Sequence, residues 1–485
     1  YNDYIKGKAG YFIAERDALG RNIFPRGLNL KDSTSGSDVV LTIDKTIQHI
    51  AERELGQAVT EYAAKGGRVL IMNPHTGEVL AMAVQPAFNP NFFGKYNSRA
   101  WRNRIVTDSF EPGSTFKIFL AAGAIESGKV GAQDIFYCEE GRTRIYNKFI
   151  HDSKKYGWLT MENILKVSSN IGAYKIAEKI GKDSYYQSIQ NFGFGEKSNI
   201  DFPGETSGFL RPLKKISPVG FANLAFGQGV SVTAVQLVSA ISAVANGGAL
   251  MKPFLVKKIV GKRGEAVLSN APTRVRQVIS KEASSEVTAM LKRVVSGEGT
   301  GGRAALDGYQ VAGKTGTSQK FDVKEGQYSK EKYISSFIGF LPADAPELAM
   351  LVLIDEPKEH YYGGKVAAPV FRKIAAQSLA YLKVSPLKEK DVMPLSQKVN
   401  PALRKKRLEE NKDLILAKGD VPYMPDLTGL SLREILVTMK LPPTEMSGHG
   451  IVVEQNPLPG KLLDKEEGYK VRFSEESRSG MSVAL

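Results

Sequence analysis

Apolar positions recur at helical spacing through residues 45–64, where Ile47, Ile50, Ala51, Leu55 and Val59 form one stripe and Asp44 stands as the natural N-cap. Residues 68–72 and 79–84 read instead as two short strands. Asn73-Pro74-His75-Thr76-Gly77 supplies turn chemistry between them, so they predict a hairpin. A short strand at 39–44 precedes the helix, and residues 85–104 read as loop. A long helical and loop region then reaches residue 250. Its most apolar helix, Ala234 to Ala245, is stopped by Asn246-Gly247-Gly248. Strand patterns return at 309–317, 333–340 and 348–354. Strands first, helices in the middle and strands last predict an α+β fold, with an antiparallel sheet drawn from distant parts of the chain and a helical subdomain beside it.

Length and composition add domain boundaries. At 485 residues and 42% hydrophobic content the chain is too long for one ordinary domain. Composition shifts at residue 385, where prolines and the run Arg404-Lys405-Lys406-Arg407 mark a charged linker with a short helix over 404–417. The expected division is a leading piece at 1–36, a main domain at 37–384, a linker at 385–420, a small domain at 421–475 and a tail at 476–485. In the small domain Leu432, Ile435, Leu436 and Met439 form a helical stripe ahead of the strand-like run that starts at Ile451.

The net charge of +15 is spread along the chain, with no aromatic-basic or recognition-helix pattern, so nucleic acid is not indicated. An anionic membrane surface or anionic wall precursors fit as well. The single cysteine, Cys138, excludes an internal disulfide and reads as a small buried hydrophobe. No Cys/His cluster supports a metal site, and no cofactor is implied.

The stretch that carries chemistry is Glu111-Pro112-Gly113-Ser114-Thr115-Phe116-Lys117. Ser114 falls where a helix should begin, in the N-cap position, and Lys117 three residues on shares its face. A serine becomes a nucleophile when a neighbouring base takes its proton, and a lysine serves only if burial or a second cation lowers its pKa. Ser-x-x-Lys recurs at Ser329–Lys332 and Ser385–Lys388, so the pattern alone is weak. Two further triplets lift it. Ser168-Ser169-Asn170 interrupts an apolar helical run, and Lys314-Thr315-Gly316-Thr317 sits on a late strand whose glycine suggests a close backbone approach.

In this order the three motifs form the signature of penicillin-binding proteins and class A β-lactamases. The chain resembles a class B penicillin-binding protein, a peptidoglycan D,D-transpeptidase of division or sporulation type, over roughly residues 37 to 384. Gly77-Glu78-Val79-Leu80-Ala81, His151-Asp152 with Gly157-Trp158-Leu159-Thr160, Phe226-Gly227-Gln228-Gly229, Ala245-Asn246-Gly247-Gly248 and Asp355-Glu356-Pro357 resemble further family landmarks in the family's order. The C-terminal module is similar to a single PASTA domain, with a packing or partner-docking role weighed ahead of muropeptide binding.

The resemblance implies a penicillin-binding transpeptidase fold and a set of roles. Ser114 would attack the penultimate carbonyl of a stem peptide ending in D-Ala-D-Ala, with Lys117 as its base. Ser168 would relay a proton to the leaving D-Ala, and Asn170 would hold the substrate amide and position Lys117. Lys314, Thr315, Gly316 and Thr317 would bind the terminal carboxylate, and Lys314 would lower the Lys117 pKa by charge repulsion. The N–H groups of Ser114 and Thr317 would form the oxyanion hole. The implied partners are lipid II-derived stem peptides, inhibitory β-lactams, a membrane glycosyltransferase and divisome proteins. The implied place is the cell membrane, with a single-pass helix ahead of Tyr1 and an extracytoplasmic catalytic domain.

Three alternatives stay open: a β-lactamase-like hydrolase, a D,D-carboxypeptidase, and a non-catalytic penicillin sensor or wall-binding protein. The absence of a Glu-x-x-Leu-Asn stretch speaks against the first. A Ser-His-Asp mechanism would need one of His49, His75, His151, His360 or His449. His151 and Asp152, adjacent in the chain, read as structural.

Overall fold

The computed structural model describes residues 1–11, 15–23, 32–322, 325–386, 424, 427–439, 443–458 and 468–474. They belong to two compact units, a large one of residues 1–132 and 136–386 and a small one made of the C-terminal residues with 133–135.

The large unit is built on a five-stranded antiparallel sheet. Its strands are β1 (Gly66–Met72), β2 (Val79–Gln85), β3 (Ala312–Asp322), β4 (Gln327–Leu341) and β5 (Leu348–Asp355), in the order β3-β4-β5-β1-β2. The two early strands pair with the last one through β1 against β5, with Leu351 opposite Leu70, so the expected sheet from distant chain segments is present. β1 and β5 are buried along their whole length, which explains their nearly continuous apolar runs.

Side-chain alternation sends the two faces into two cores. Val69, Ile71, Met350, Val352 and Ile354 pack with α1 (Lys45–Glu61) and the C-terminal helix of the unit, Gly363–Tyr381. Leu70, Met72, Leu351 and Leu353 pack with the helical side, including the helix Ala234–Ala245, buried from Ala234 to Val244. α1 keeps its expected stripe, with Ile47, Ile50, Ala51 and Leu55 buried, and Asp44 caps it by accepting the N–H groups of Thr46 and Ile47. The hairpin turn holds as well. The Asn73 side chain accepts from His75 N–H and Thr76 N–H, and Gly77 takes φ +80°.

The late strands exceed their expected bounds. β3 runs on to Asp322 and β4 begins at Gln327, because the outer half of this hairpin is partly solvated and Ser318, Gln319, Lys320 and Asp322 give no apolar pattern. Near the N-terminus, Glu15–Arg16 pair with Asn22–Ile23 around a turn in which Asp17 accepts from Leu19 N–H and Arg21 N–H.

The small unit contains the helix Leu432–Met439 and a three-stranded sheet of Glu445–Ser447, Lys470–Ser474 and Ile451–Asn456, in that spatial order. Met424, Leu427, Leu430, Ile435, Val452, Tyr469, Val471 and Phe473 make its own core. The expected charged helix at 404–417 and the tail at 476–485 lie outside the described residues. Among the described residues no helix is long and apolar enough to cross a membrane.

Candidate active site

Ser114 lies in a 3-10 turn, Gly113–Phe116, that runs directly into α2 (Lys117–Glu126). The turn opens on Gly113 at φ +55°, whose N–H donates to Gly227 O at 3.0 Å. Gly227 is itself left-handed, at φ +78°, and a Cβ there would stand 2.2 Å from Gly113 O. Below the turn Phe116 and Phe119 are fully buried and each meets Phe194 at 4.9 Å between ring centroids. Each such side chain contributes roughly 1.5–3 kcal/mol of burial, which pins the serine to a rigid base.

The expected N-cap role of Ser114 is not what the structure has. The turn starts one residue earlier, with Pro112 ahead of it and no side-chain cap, and Thr115 Oγ1 donates to Pro112 O at 2.8 Å. Ser114 is therefore already inside the helical turn, at its second position, rather than capping it. That hydroxyl makes no hydrogen bond among the described residues and faces a cleft of about 840 Å³.

Lys117 is completely buried. Its Nζ donates to Ser168 O at 2.7 Å and to Asn170 Oδ1 at 2.8 Å, with Ser168 Oγ at 3.3 Å. These three oxygens fix the amine in place inside the fold. Burial lowers its pKa to about 7, against the opposing pull of Asp152 and Cys138.

The polar triplet that presents these acceptors is a helix break. α3 (Met161–Val167) ends as Ser168 turns left-handed at φ +65°, and Ser169 caps α4 (Asn170–Ile180) by accepting Gly172 N–H. A single left-handed serine thus aims both its carbonyl and its hydroxyl at the lysine.

Asp152 holds this break in place. Its carboxylate accepts Ser169 Oγ–H at 2.6 Å and the N–H groups of Asn170 and Ile171, while the Asn170 side-chain amide donates to His151 O at 3.0 Å. Reading His151 and Asp152 as structural captured their support of the helix start but not their attachment to a site residue. The sequence signal was the unpaired start of α4, whose partner lies on a separate hairpin. Cys138 is buried with its thiol near Phe136 O, and burial raises its pKa, as a small core residue should behave.

Lys314 is also fully buried, on β3, and donates to Thr315 O at 3.2 Å. It stands behind the cleft wall, whereas Thr315 and Thr317 line it. Thr315 Oγ1 donates to Thr300 Oγ1, and Thr317 Oγ1 accepts from Gly363 N–H. The two buried amines repel each other, and burial is the larger cause of both low pKa values. Lys117 is depressed by its own burial, while Lys314 is pushed well below the usual lysine range by burial first and by the Lys117 charge second. Gly316 answers to the expected close approach. A Cβ there would lie 2.4 Å from Ser336 Oγ, 2.8 Å from Thr115 Cγ2 and 3.1 Å from Pro112 O, so its absence lets β3 press against the Ser114 turn.

Two features escaped the sequence reading. Tyr333 and Tyr361, both on the cleft, stack at 4.2 Å. Glu111 accepts from Gly229 N–H and Tyr328 O–H through one carboxylate oxygen while the other is buried without a partner, and burial raises its pKa. All five histidines are exposed and none lines the cleft, so no Ser-His pair forms there. Among the described residues no group of three or more His, Cys, Asp or Glu is placed to hold a metal ion.

Residues 67–376 match the family model described as the penicillin binding protein transpeptidase domain. The chain is 36% identical over 478 residues to stage V sporulation protein D of Bacillus subtilis, covering 97% of this chain and 70% of that protein. It is 35% identical over 391 residues to the probable peptidoglycan D,D-transpeptidase PenA of Neisseria gonorrhoeae, covering 80% of this chain and 64% of that protein. Among solved structures, the transpeptidase domain of penicillin-binding protein 3 from Burkholderia pseudomallei matches with a TM-score of 0.63 and 34% identity, over 73% of this chain and 98% of that one. Penicillin-binding protein 3 from Mycobacterium tuberculosis in complex with ampicillin matches with a TM-score of 0.70 and 31% identity, over 75% of this chain and 82% of that one. The chain belongs to the penicillin-binding protein transpeptidase family, in its class B group, and is a transpeptidase of the serine type.

Proposed function

We propose that this chain is a peptidoglycan D,D-transpeptidase working through an acyl-enzyme on Ser114. The observation that carries the reading is the buried Lys117 amine, held by two carbonyl oxygens in the same helical turn as an unbonded serine hydroxyl. Unprotonated Lys117 takes the Ser114 proton as the oxygen attacks the penultimate carbonyl of a D-Ala-D-Ala stem peptide. The N–H groups of Ser114 and Thr317 stabilise the tetrahedral oxyanion, an interaction worth about 3 kcal/mol per donor in other acyl-transfer enzymes. Ser168, 3.3 Å from the lysine amine, passes the proton to the departing D-Ala. Asn170 holds the donor amide and the lysine together. Thr315 and Thr317 receive the terminal carboxylate, with Lys314 buried behind them, where an incoming anion favours its protonated form, and Gly316 keeping the strand close to the serine.

The amine of a second stem peptide then resolves the ester and forms the cross-link. A β-lactam opened by Ser114 leaves no such exit and blocks the site. The likeness to a stage V sporulation protein and to a probable peptidoglycan D,D-transpeptidase supports a role in wall synthesis, and we extend it to the septal or spore wall at the cell membrane, with a glycosyltransferase and divisome proteins as partners. The C-terminal unit we assign as a PASTA-type module with a packing or docking role.

The test is a pentapeptide ending in D-Ala-D-Ala offered together with a D-amino acid acceptor. The wild type should exchange the terminal residue, and Ser114→Ala should not. Release of D-Ala without exchange would assign a carboxypeptidase instead.

A further inference from the structure

The residues that hold Asn170 sit at the end of a small hairpin whose outer face has no assigned use. Arg142–Ile145 pair antiparallel with Lys148–His151, with Arg142 opposite His151 and Arg144 opposite Phe149. This register puts Ile145 and Ile150 underneath, where both are buried, and leaves Arg142, Arg144, Phe149 and His151 on the outer face. Phe149 is 49% exposed, and Tyr146 at the turn is 73% exposed. The Arg142 guanidinium lies 4.0 Å from the Phe149 ring centroid and that of Arg144 lies 6.0 Å away. Among the described residues neither arginine, nor Lys154 or Lys155 in the segment that follows the hairpin, meets a carboxylate. Soluble surfaces usually mix their charges, so a row of unpaired cations around an exposed ring is the footprint of an anionic ligand with a flat apolar face.

The position of the hairpin narrows the class. Its last residue accepts the Asn170 amide, and the segment that leaves it supplies Ser153 and Lys154 to the cleft wall. A ligand on the hairpin would be continuous with one in the cleft. We propose that this face binds the glycan strand of the substrate outside the reacting D-Ala-D-Ala, with amino-sugar rings on Phe149 and Tyr146 and stem-peptide carboxylates on Arg142 and Arg144. This rests on the transpeptidase reading and adds where the rest of the polymer lies.

The experiment titrates the full chain with soluble, uncross-linked peptidoglycan fragments of disaccharide-peptide repeats that lack the terminal D-Ala. Variants are Arg142→Glu with Arg144→Glu, Arg142→Lys with Arg144→Lys, and Phe149→Ala. Acylation by a fluorescent penicillin is run on each, so that a loss of the acyl-enzyme chemistry is read separately from a loss of strand binding. The charge-reversed pair should weaken fragment binding by about tenfold or more and flatten its salt dependence. Phe149→Ala should weaken it by several-fold, and the lysine pair should stay within a few-fold of wild type, all with penicillin acylation unchanged. Equal fragment binding by wild type and the charge-reversed pair would overturn the proposal. So would binding to phosphatidylglycerol vesicles that the charge reversal abolishes while fragment binding persists, since the face would then be a membrane contact.

Discussion

Lys117 Nζ stands 2.8 Å from Asn170 Oδ1, and both groups reach that point from separate helices whose starts are fixed by other residues. The amine is thus buried and held in place, and burial brings its pKa down to about 7, within the working range of a base for a serine.

This fixes the sign of the pH dependence. Burial places the Lys117 pKa at about 7, and only the unprotonated amine can accept the Ser114 proton. The second-order rate of acylation by benzylpenicillin should rise with pH through about 7 and level off above it. A stopped-flow profile that is flat from pH 5 to 9, or that falls as pH rises through 7, would assign the proton transfer elsewhere.

Asp152 is predicted to act through Asn170 as a positioning residue. Removing its carboxylate frees Ser169 Oγ and the N–H groups of Asn170 and Ile171 at the start of α4. Asp152→Ala should cost about 1–3 kcal/mol of stability and slow acylation by at least about tenfold. Asp152→Asn, which keeps one acceptor, should recover part of both and shift the acylation pH profile. Thermal unfolding and acylation rates across pH check it. A stability loss with an unmoved pH profile would make Asp152 merely structural.

Gly316→Ala should be worse than its size suggests. The new methyl would press on Ser336 and Thr115, so β3 must retreat from the Ser114 turn or the turn must shift. The expected destabilisation is about 1–3 kcal/mol, with a disproportionate loss of acylation. Unfolding by denaturant and penicillin labelling of the same preparation separate the two effects.

Glu111 offers a stability test with a defined sign. Burial raises its folded pKa, so its ionisation is penalised in the folded state and wild-type stability falls as pH rises from the free glutamate value toward the folded one. Glu111→Gln removes that penalty. The Tm difference between the variant and wild type should move in favour of the variant from pH 4 to pH 8, and a constant difference would refute the account.

Most of the framework was readable from patterning because it follows from burial. β1 and β5 are apolar apart from Arg68 and Asp355 since both of their faces are covered, and α1 carries its stripe because one face meets the sheet. The order of Ser114, Ser168 and Lys314 along the chain carried the chemistry. What the sequence hid was contact between distant segments. Nothing local says that Asp152 caps the helix of Asn170, that Glu111 braces Gly229 and Tyr328, or that Lys314 stands behind the wall rather than in the cleft. The Ser114 cap was misjudged because Gly113 enters the helix through a left-handed turn, a conformation that a Pro-Gly pair permits without requiring.

The most direct measurement is the intact mass of the chain after incubation with benzylpenicillin, followed over hours, with the adduct mapped by peptide digestion. One stable adduct on the peptide containing Ser114, absent in Ser114→Ala, is the predicted result. An adduct on another residue, or one that disappears within seconds as in a rapidly turning-over hydrolase, would contradict it.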